Sequence, residues 1–404
     1  MRDPADIRTA PPLVFLHHQA GFFAFFLLIL ALPWTVAPMG IAAAVCGLLT
    51  AWVWFGPSRS GIPGTPVGLA GIAWAVALVL AALFAADVAG SLPRIKKALF
   101  PVLVPLAVTW ARDPRTGSQA VALLLLSSLA AAAVGLAQVV GRDVGLDLRA
   151  RGPVGHYMTF AGQLLIFVSL AAGIVFATRR PAWRVGAGLA ALAGVAALFG
   201  TFTRSAWLGL VVSLAVMLGR RHPRWLVALA VLVALTVLLA PPAYRERLVS
   251  AFDPAHATNV ERTHMWKAGA RMFRDHPLTG VGLQDLKPIY ERYKDPDAVE
   301  PAGHLHSVPV QIAATMGVAG LVAFAFLYLA LAWCAWEGLG RQLDRGGLAA
   351  GVRLGMLGAL AGFLVAGLFE WNFGDEELLY PLFTLAGLAW AARAWDASGE
   401  DRAA

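Results

Sequence analysis

The chain has 404 residues, of which 59% are hydrophobic and only 14% charged; soluble domains carry about 25% charged residues, so this composition excludes a soluble protein with a single anchor and indicates an integral membrane protein. The net charge of +8 reads as the positive bias of inward-facing loops rather than as a nucleic-acid footprint. The two cysteines, Cys46 and Cys334, lie inside apolar runs and suggest neither a disulfide framework nor a metal site.

A spanning helix needs roughly 17–25 mostly apolar residues. Such runs recur near 17–36, 38–56, 67–87, 98–112, 118–139, 159–178, 184–202, 204–219, 223–241, 308–336, 349–370 and 378–396. The expected fold is therefore an all-α integral membrane protein of about twelve transmembrane helices. About nine fall in residues 1–241 and three in 308–404, which end in a short tail. Between them lies one long polar interval, 242–307, expected to be a large outer loop with short amphipathic helices. No cleavable signal peptide is evident in the first apolar run.

Orientation follows from Lys and Arg in the short loops. An inward N-terminus places Arg59, Arg112, Arg115, Arg179, Arg180, Arg184, Arg220, Arg221, Arg224, Arg341 and Arg345 on alternate, cytoplasmic loops, with the C-terminal tail inside. Residues 242–307 then face outward, which in a bacterial inner membrane is the periplasm. Several cations break the rule: Arg94, Lys96 and Lys97; Arg142, Arg149 and Arg151; Arg204 at a helix start; and Arg245, Arg247, Arg262, Lys267, Arg271 and Arg274 in the long interval. Outward cations oppose insertion, and Arg suits bidentate contact with phosphate oxygens. Individually they could pair with Asp143, Asp147, Glu246 and Glu261 or snorkel to headgroups. As a set they indicate an outward site for a phosphate-bearing lipid.

The long interval holds five of the nine histidines and ends in His304-Leu305-His306-Ser307. Ser307 is placed to cap the next helix, with Pro309 in its first turn. His306 thus precedes a helix start, where the positive end of the dipole disfavours imidazolium and suits a general base. Gly317 and Gly320 lie on nearly the same face and would admit a close-packed helix behind the site. Arg204 opens an apolar helix with Leu208 one turn later; an arginine there is costly unless it pairs, faces water or snorkels. An amphipathic helix is expected near 259–274, then a Gly-rich turn through His276-Pro277-Leu278-Thr279-Gly280-Val281-Gly282, then a helix near 284–293 with Tyr290 and Tyr293. His276 reads as structural.

These patterns together resemble the O-antigen ligase family, within the larger group of O-antigen ligases, O-antigen polymerases and O-oligosaccharyltransferases. The family's His-Asn/Ser/Gln-(nine residues)-Gly-x-x-Gly/Thr/Tyr pattern reads His306-Ser307 to Gly317-Val318-Ala319-Gly320. Its Arg-x-x-x-Leu motif reads Arg204 to Leu208. Its outer-loop Arg before Trp, followed by His-Pro-Leu-x-Gly-Val-Gly, reads Arg262, Trp266 and His276 to Gly282.

The resemblance implies a metal-independent, inverting glycosyltransferase of lipopolysaccharide biosynthesis that uses no cofactor. It would move a glycan from undecaprenyl diphosphate to a sugar hydroxyl of lipid A–core, in a multi-pass inner-membrane protein with a periplasm-facing site. His306 would be the base, with Arg204 and Arg262 holding the diphosphate. Arg94, Lys96, Lys97, Arg149 and Arg151 are further substrate-binding candidates, and His304 an assisting one. Membrane lipids are partners and nucleic acid is not. The alternatives are an O-antigen polymerase with the same donor, or a transporter or flippase for an anionic lipid.

Overall fold

The structure, a computed structural model, describes residues 12–57, 60–142 and 145–398; Arg59, Asp143 and the end of the tail lie outside the described residues. Every apolar run is helical, and the described residues contain no strand. In chain order the helices are α1 Pro12–Ala31, α2 Val36–Phe55, α3 Val67–Leu83, the single turn α4 Val88–Ser91, α5 Leu103–Ala111, α6 Pro114–Ala137, α7 Tyr157–Ala177, α8 Pro181–Gly200, α9 Arg204–Arg221 and α10 Trp225–Leu239. The long polar interval contributes α11 Pro242–Val249, α12 Ala257–Asp275 and α13 Lys287–Tyr293. The chain closes with α14 Val308–Trp336, α15 Leu339–Arg345, α16 Leu348–Gly367 and α17 Glu376–Ala391.

Seven of the described helices are long and apolar enough to cross a membrane, or eight if α10 and α11, bent by 116° at their junction, are one broken span. The remaining apolar runs fall short for visible reasons. The helix α3 has 17 residues and α17 has 16. The run near 98–112 divides into a 3₁₀ segment, Leu92–Val102, and the nine-residue α5. Pro101 and Pro105 remove backbone donors there, which favours the tighter, broken winding.

The centre of the bundle is α7, packed against α16 and α9. Glycines let these backbones meet: a Cβ on Gly173 would stand 2.3 Å from the Gly355 nitrogen, and one on Gly209 2.6 Å from the Gly362 carbonyl oxygen. Small residues give this closeness in helices that gain nothing from burying one apolar surface rather than another. The Ser169 and Ser213 hydroxyls, 2.7 Å apart, tie α7 to α9 inside the contact.

The charged loops gather at two ends. At one, Gly347 N–H donates to the Ala177 carbonyl (3.2 Å), Arg220 lies over the Trp336 ring and Arg393 pairs with Glu337 at 2.9 Å. At the other meet the starts of α7, α9 and α14 and the end of α16. These carry His156, Arg204, His306 and Glu370 respectively.

Candidate active site

The His306 backbone is built by an interlock of two glycine-bearing stretches. The helix α14 breaks at Gly317 (φ 63°, ψ −157°), a conformation open to glycine and strained for other residues. The break exposes backbone groups, and the Pro277–Gly282 turn takes them. Val318 N–H donates to the Pro277 carbonyl (2.8 Å) and Ala319 N–H to that of Leu278 (3.2 Å). In return Val281 N–H donates to the Ala314 carbonyl (2.8 Å) and Gly282 N–H to that of Thr315 (3.1 Å). A Cβ on Gly317 would lie 2.4 Å from the Leu278 carbonyl carbon. The expectation of a helix packed behind Gly317 is corrected on this point: the partner is a turn, because only an irregular backbone has spare donors and acceptors to exchange.

Leu305 is held on every side. Its N–H donates to Gln311 Oε1 (2.8 Å), its carbonyl accepts from Trp266 Nε1 (3.1 Å), and its side chain is fully buried beneath α12. Gln311 thus caps the approach to α14, while Ser307 stands at the N-cap position without a side-chain cap bond. The next residue, His306, is forced into the left-handed region (φ 46°), which costs a non-glycine residue on the order of 1–3 kcal/mol. The surrounding contacts hold the ring at one place.

That place is Glu370, just past the end of α16. His306 Nδ1 lies 3.0 and 3.1 Å from its two carboxylate oxygens. His304 Nε2 is 3.5 Å from Oε1, and the two imidazole centroids are 4.2 Å apart. Burial pushes the Glu370 carboxyl up, but the hydrogen bonds from His304 and His306 outweigh it and hold it down at about 2. An ionised carboxylate only accepts, so Nδ1 of His306 donates to it, and in the neutral tautomer that this contact selects Nε2 is the nitrogen with the lone pair.

On α12, Arg262 and Trp266 are one helical turn apart and face this centre together. Arg262 reaches Glu370 at 3.9 Å, while Trp266 fixes Leu305 and lies near the Phe369 ring. The other face of α12 is pinned by Asp295, which meets His264 (3.0 Å), Lys267 (3.7 Å) and Arg271. Hydrogen bonds from Arg271 and His264 lower its carboxyl to about 2.

Arg204, the first residue of α9, donates to Ser250 Oγ (2.8 Å), Thr258 Oγ1 (3.0 Å) and Asn259 Oδ1 (3.3 Å). All three acceptors are neutral, so its charge is positioned but not neutralised. Arg262 is the cation in whose field it sits.

The remaining sequence candidates divide. Arg149 donates to the Leu146 carbonyl (3.0 Å) and stacks over Tyr157 at 4.2 Å, within the field of the α11 arginine Arg247. Arg151 is exposed beside it and acts electrostatically on His156. Lys96 pairs with Glu376 (2.6 Å), and Lys97 donates to the Gly374 carbonyl (2.7 Å), with burial lowering its pKa. Arg94 donates to Gly90 in its own turn. Lys96 and Lys97 thus hold the turn before α17, and Arg94 its own turn, rather than meeting His306.

Sequence reasoning missed a second polar chain. Thr159 Oγ1 donates to Asp375 Oδ2 (3.0 Å) and stands 3.2 Å from His156 Nδ1. Burial raises the Asp375 carboxyl to about 6, despite the Thr159 hydrogen bond, and lowers the His156 pKa. Glu370 stands outside the sequence motifs. The available signal was that Glu370 and Asp375 close an apolar run at the outward end, where intramembrane-level acids are expensive and functional. His304, His306 and Glu370 also place their donor atoms within 4.8 Å of one another, so these three are the group that would hold a cation.

Residues 189–325 match the family model described as O-Antigen ligase. This stretch carries the O-antigen ligase domain. It spans α8 to the first half of α14 and so includes Arg204, Arg262, the Pro277–Gly282 turn, His306 and the Gly317 break. The match supports an activity of O-antigen ligase or polymerase type in general for this stretch, in a family of glycosyltransferase-like enzymes that act on lipid-linked glycans and lipid acceptors. No curated protein matches the chain.

Proposed function

We propose that this protein is an O-antigen ligase, transferring a glycan from undecaprenyl diphosphate to a sugar hydroxyl of lipid A–core. It would act at the periplasmic face of a bacterial inner membrane. The observation that carries the reading is the His306–Glu370 pair set beside Arg204 and Arg262. His306 Nε2 takes the proton of the acceptor hydroxyl as that oxygen attacks the anomeric carbon. The bond from this carbon to the phosphate oxygen breaks, its electron pair leaves on the lipid diphosphate, and the configuration inverts. Glu370 holds the ring and steadies the imidazolium, as a carboxylate does in any oriented histidine base. Arg204 and Arg262 meet the charge that develops on the leaving group.

The twelve-helix topology, with 1–241 and 308–404 in the membrane and 242–307 outside, belongs to this reading. The segments that fall short as lone spans are then completed by their neighbours. The diphosphate leaves readily by itself, so the reaction is read as metal-independent, and transfer in EDTA is expected to match that in buffer. Loss of transfer with EDTA, restored by a divalent cation, would reassign His304, His306 and Glu370 as metal ligands.

The test is the surface glycan of a His306→Ala strain. Transfer is expected to fall by ~10²–10⁴-fold, the usual contribution of a general base, with chains still polymerised on the carrier lipid. Long chains still attached to lipid A–core would end the assignment of His306. Loss of polymerisation itself would favour the polymerase alternative.

A further inference from the structure

The cationic surface beside Arg204 extends further than the domain's own arginines. Arg247 lies on α11, is half-buried, and spends only its Nε, which donates to the Phe202 carbonyl at 3.3 Å. Phe202 is itself held at a positive φ of 53°, two residues before Arg204. Ser250 joins the two arginines: its hydroxyl accepts from Arg204 and donates to the Arg247 carbonyl at 2.9 Å. Among the described residues, the terminal nitrogens of Arg247 have no acceptor.

The cations acting on Arg247 are Arg204, Arg149 and Arg262, and among the described residues only Arg262 of these reaches a carboxylate, Glu370 at 3.9 Å; burial and these cations lower the Arg247 pKa to about 10. Of the acids near this surface, Glu261 accepts from the Val299 and Glu300 N–H groups, Asp295 pairs with Arg271, and Glu370 serves the histidines and Arg262. These guanidinium groups concentrate positive charge on one surface, which suits an anion of more than one charge.

We propose that Arg247 is a further diphosphate-binding residue, its free fork holding phosphate oxygens alongside Arg204. The proposal rests on the donor assigned above. A lipid-linked sugar diphosphate carries two negative charges, and a third develops when the glycosyl bond breaks. Arg262 is partly neutralised by Glu370, so Arg204 and Arg247, backed by Arg149, supply the cations that match this increase. The Phe202 turn then has a role, since it precedes Arg204 and accepts from Arg247.

The experiment measures binding of undecaprenyl diphosphate, undecaprenyl monophosphate and phosphatidylglycerol to the purified full-length protein in detergent. The proteins compared are wild type, Arg247→Gln, Arg247→Lys and the exposed neighbour Arg245→Gln. Wild type and Arg245→Gln are expected to favour the diphosphate. Both Arg247 variants are expected to lose at least about tenfold in Kd for the diphosphate, with little change for phosphatidylglycerol and an unchanged melting temperature without ligand. Unaltered diphosphate binding in Arg247→Gln would overturn the proposal. So would equal losses for all three lipids together with a lower melting temperature, the mark of a residue that only pins the Phe202 turn. If wild type binds the diphosphate no better than phosphatidylglycerol, the donor assignment fails instead. Should Arg247→Gln not fold, Arg247→Lys decides, because it keeps the charge and loses the fork.

Discussion

The two ends of the bundle treat the same residue type in opposite ways. At one end arginines are satisfied: Arg353, 1% exposed, donates to Gln342 and to the Glu337 carbonyl, Arg393 pairs with Glu337, and Arg220 lies on Trp336. At the other, Arg204 rests on neutral oxygens, Arg247 on a carbonyl and Arg149 on a ring, while Glu370 is shared by two histidines and Arg262. At the first end the contacts join helix ends to one another around a buried guanidinium; at the second the arginines lie side by side, which the proposed function reads as a ligand surface. Stability and activity should therefore separate by end.

The largest effect expected is at Glu370. Glu370→Gln keeps the shape but removes the carboxylate that sets the His306 tautomer, so transfer should fall roughly 10²–10³-fold while melting changes little. Comparable activity in purified Glu370→Gln would erase the distinction between the ends. At the opposite end, Arg353→Ala should cost about 2–4 kcal/mol, because it leaves buried acceptors unpaired and opens a cavity. Transfer per folded molecule should hold; a specific loss of turnover in the surviving protein would break the comparison from the other side.

Arg204→Lys tests orientation against charge. It keeps the cation and loses contacts to Ser250, Thr258 and Asn259, so transfer should drop on the order of 10²-fold; wild-type kcat and donor KM would show that point charge suffices.

The smallest effect is one of pH. The Asp375 carboxyl is raised to about 6 from 3.8. Between these values the folded state keeps a proton that the unfolded state has released, so stability falls as pH rises through this window. Asp375→Asn should flatten the dependence of melting temperature on pH between about 4 and 6. An unchanged slope would remove Asp375 from the buried network.

Much of this was legible in order. The amphipathic helix expected near 259–274 is α12, the turn after it is where Gly280 and Gly282 placed it, and His306 does precede a helix start. Periodicity and glycine chemistry are local, and local signals survive without the fold. The span count was less legible: twelve apolar runs are helical, but length, Pro101, Pro105 and the charges of α9 leave seven that qualify alone. Apolarity measures what a segment tolerates, and the helix length it attains depends on its neighbours.

By itself the sequence determined an all-helical chain of membrane-length apolar runs and a polar interval over 242–307 that carries His306, and it singled out the arginines proposed above for an anion site, since each follows from composition or from spacing within one segment. Only the tertiary structure decided that Glu370 is the partner of His306, that Gly317 opens a helix for the Pro277–Gly282 turn, and that Arg247 joins Arg204. These pairs lie dozens of residues apart, and no local pattern encodes which end of one helix meets which end of another. That choice is made by glycine-level packing in the middle of the bundle, which fixes how the helix ends converge.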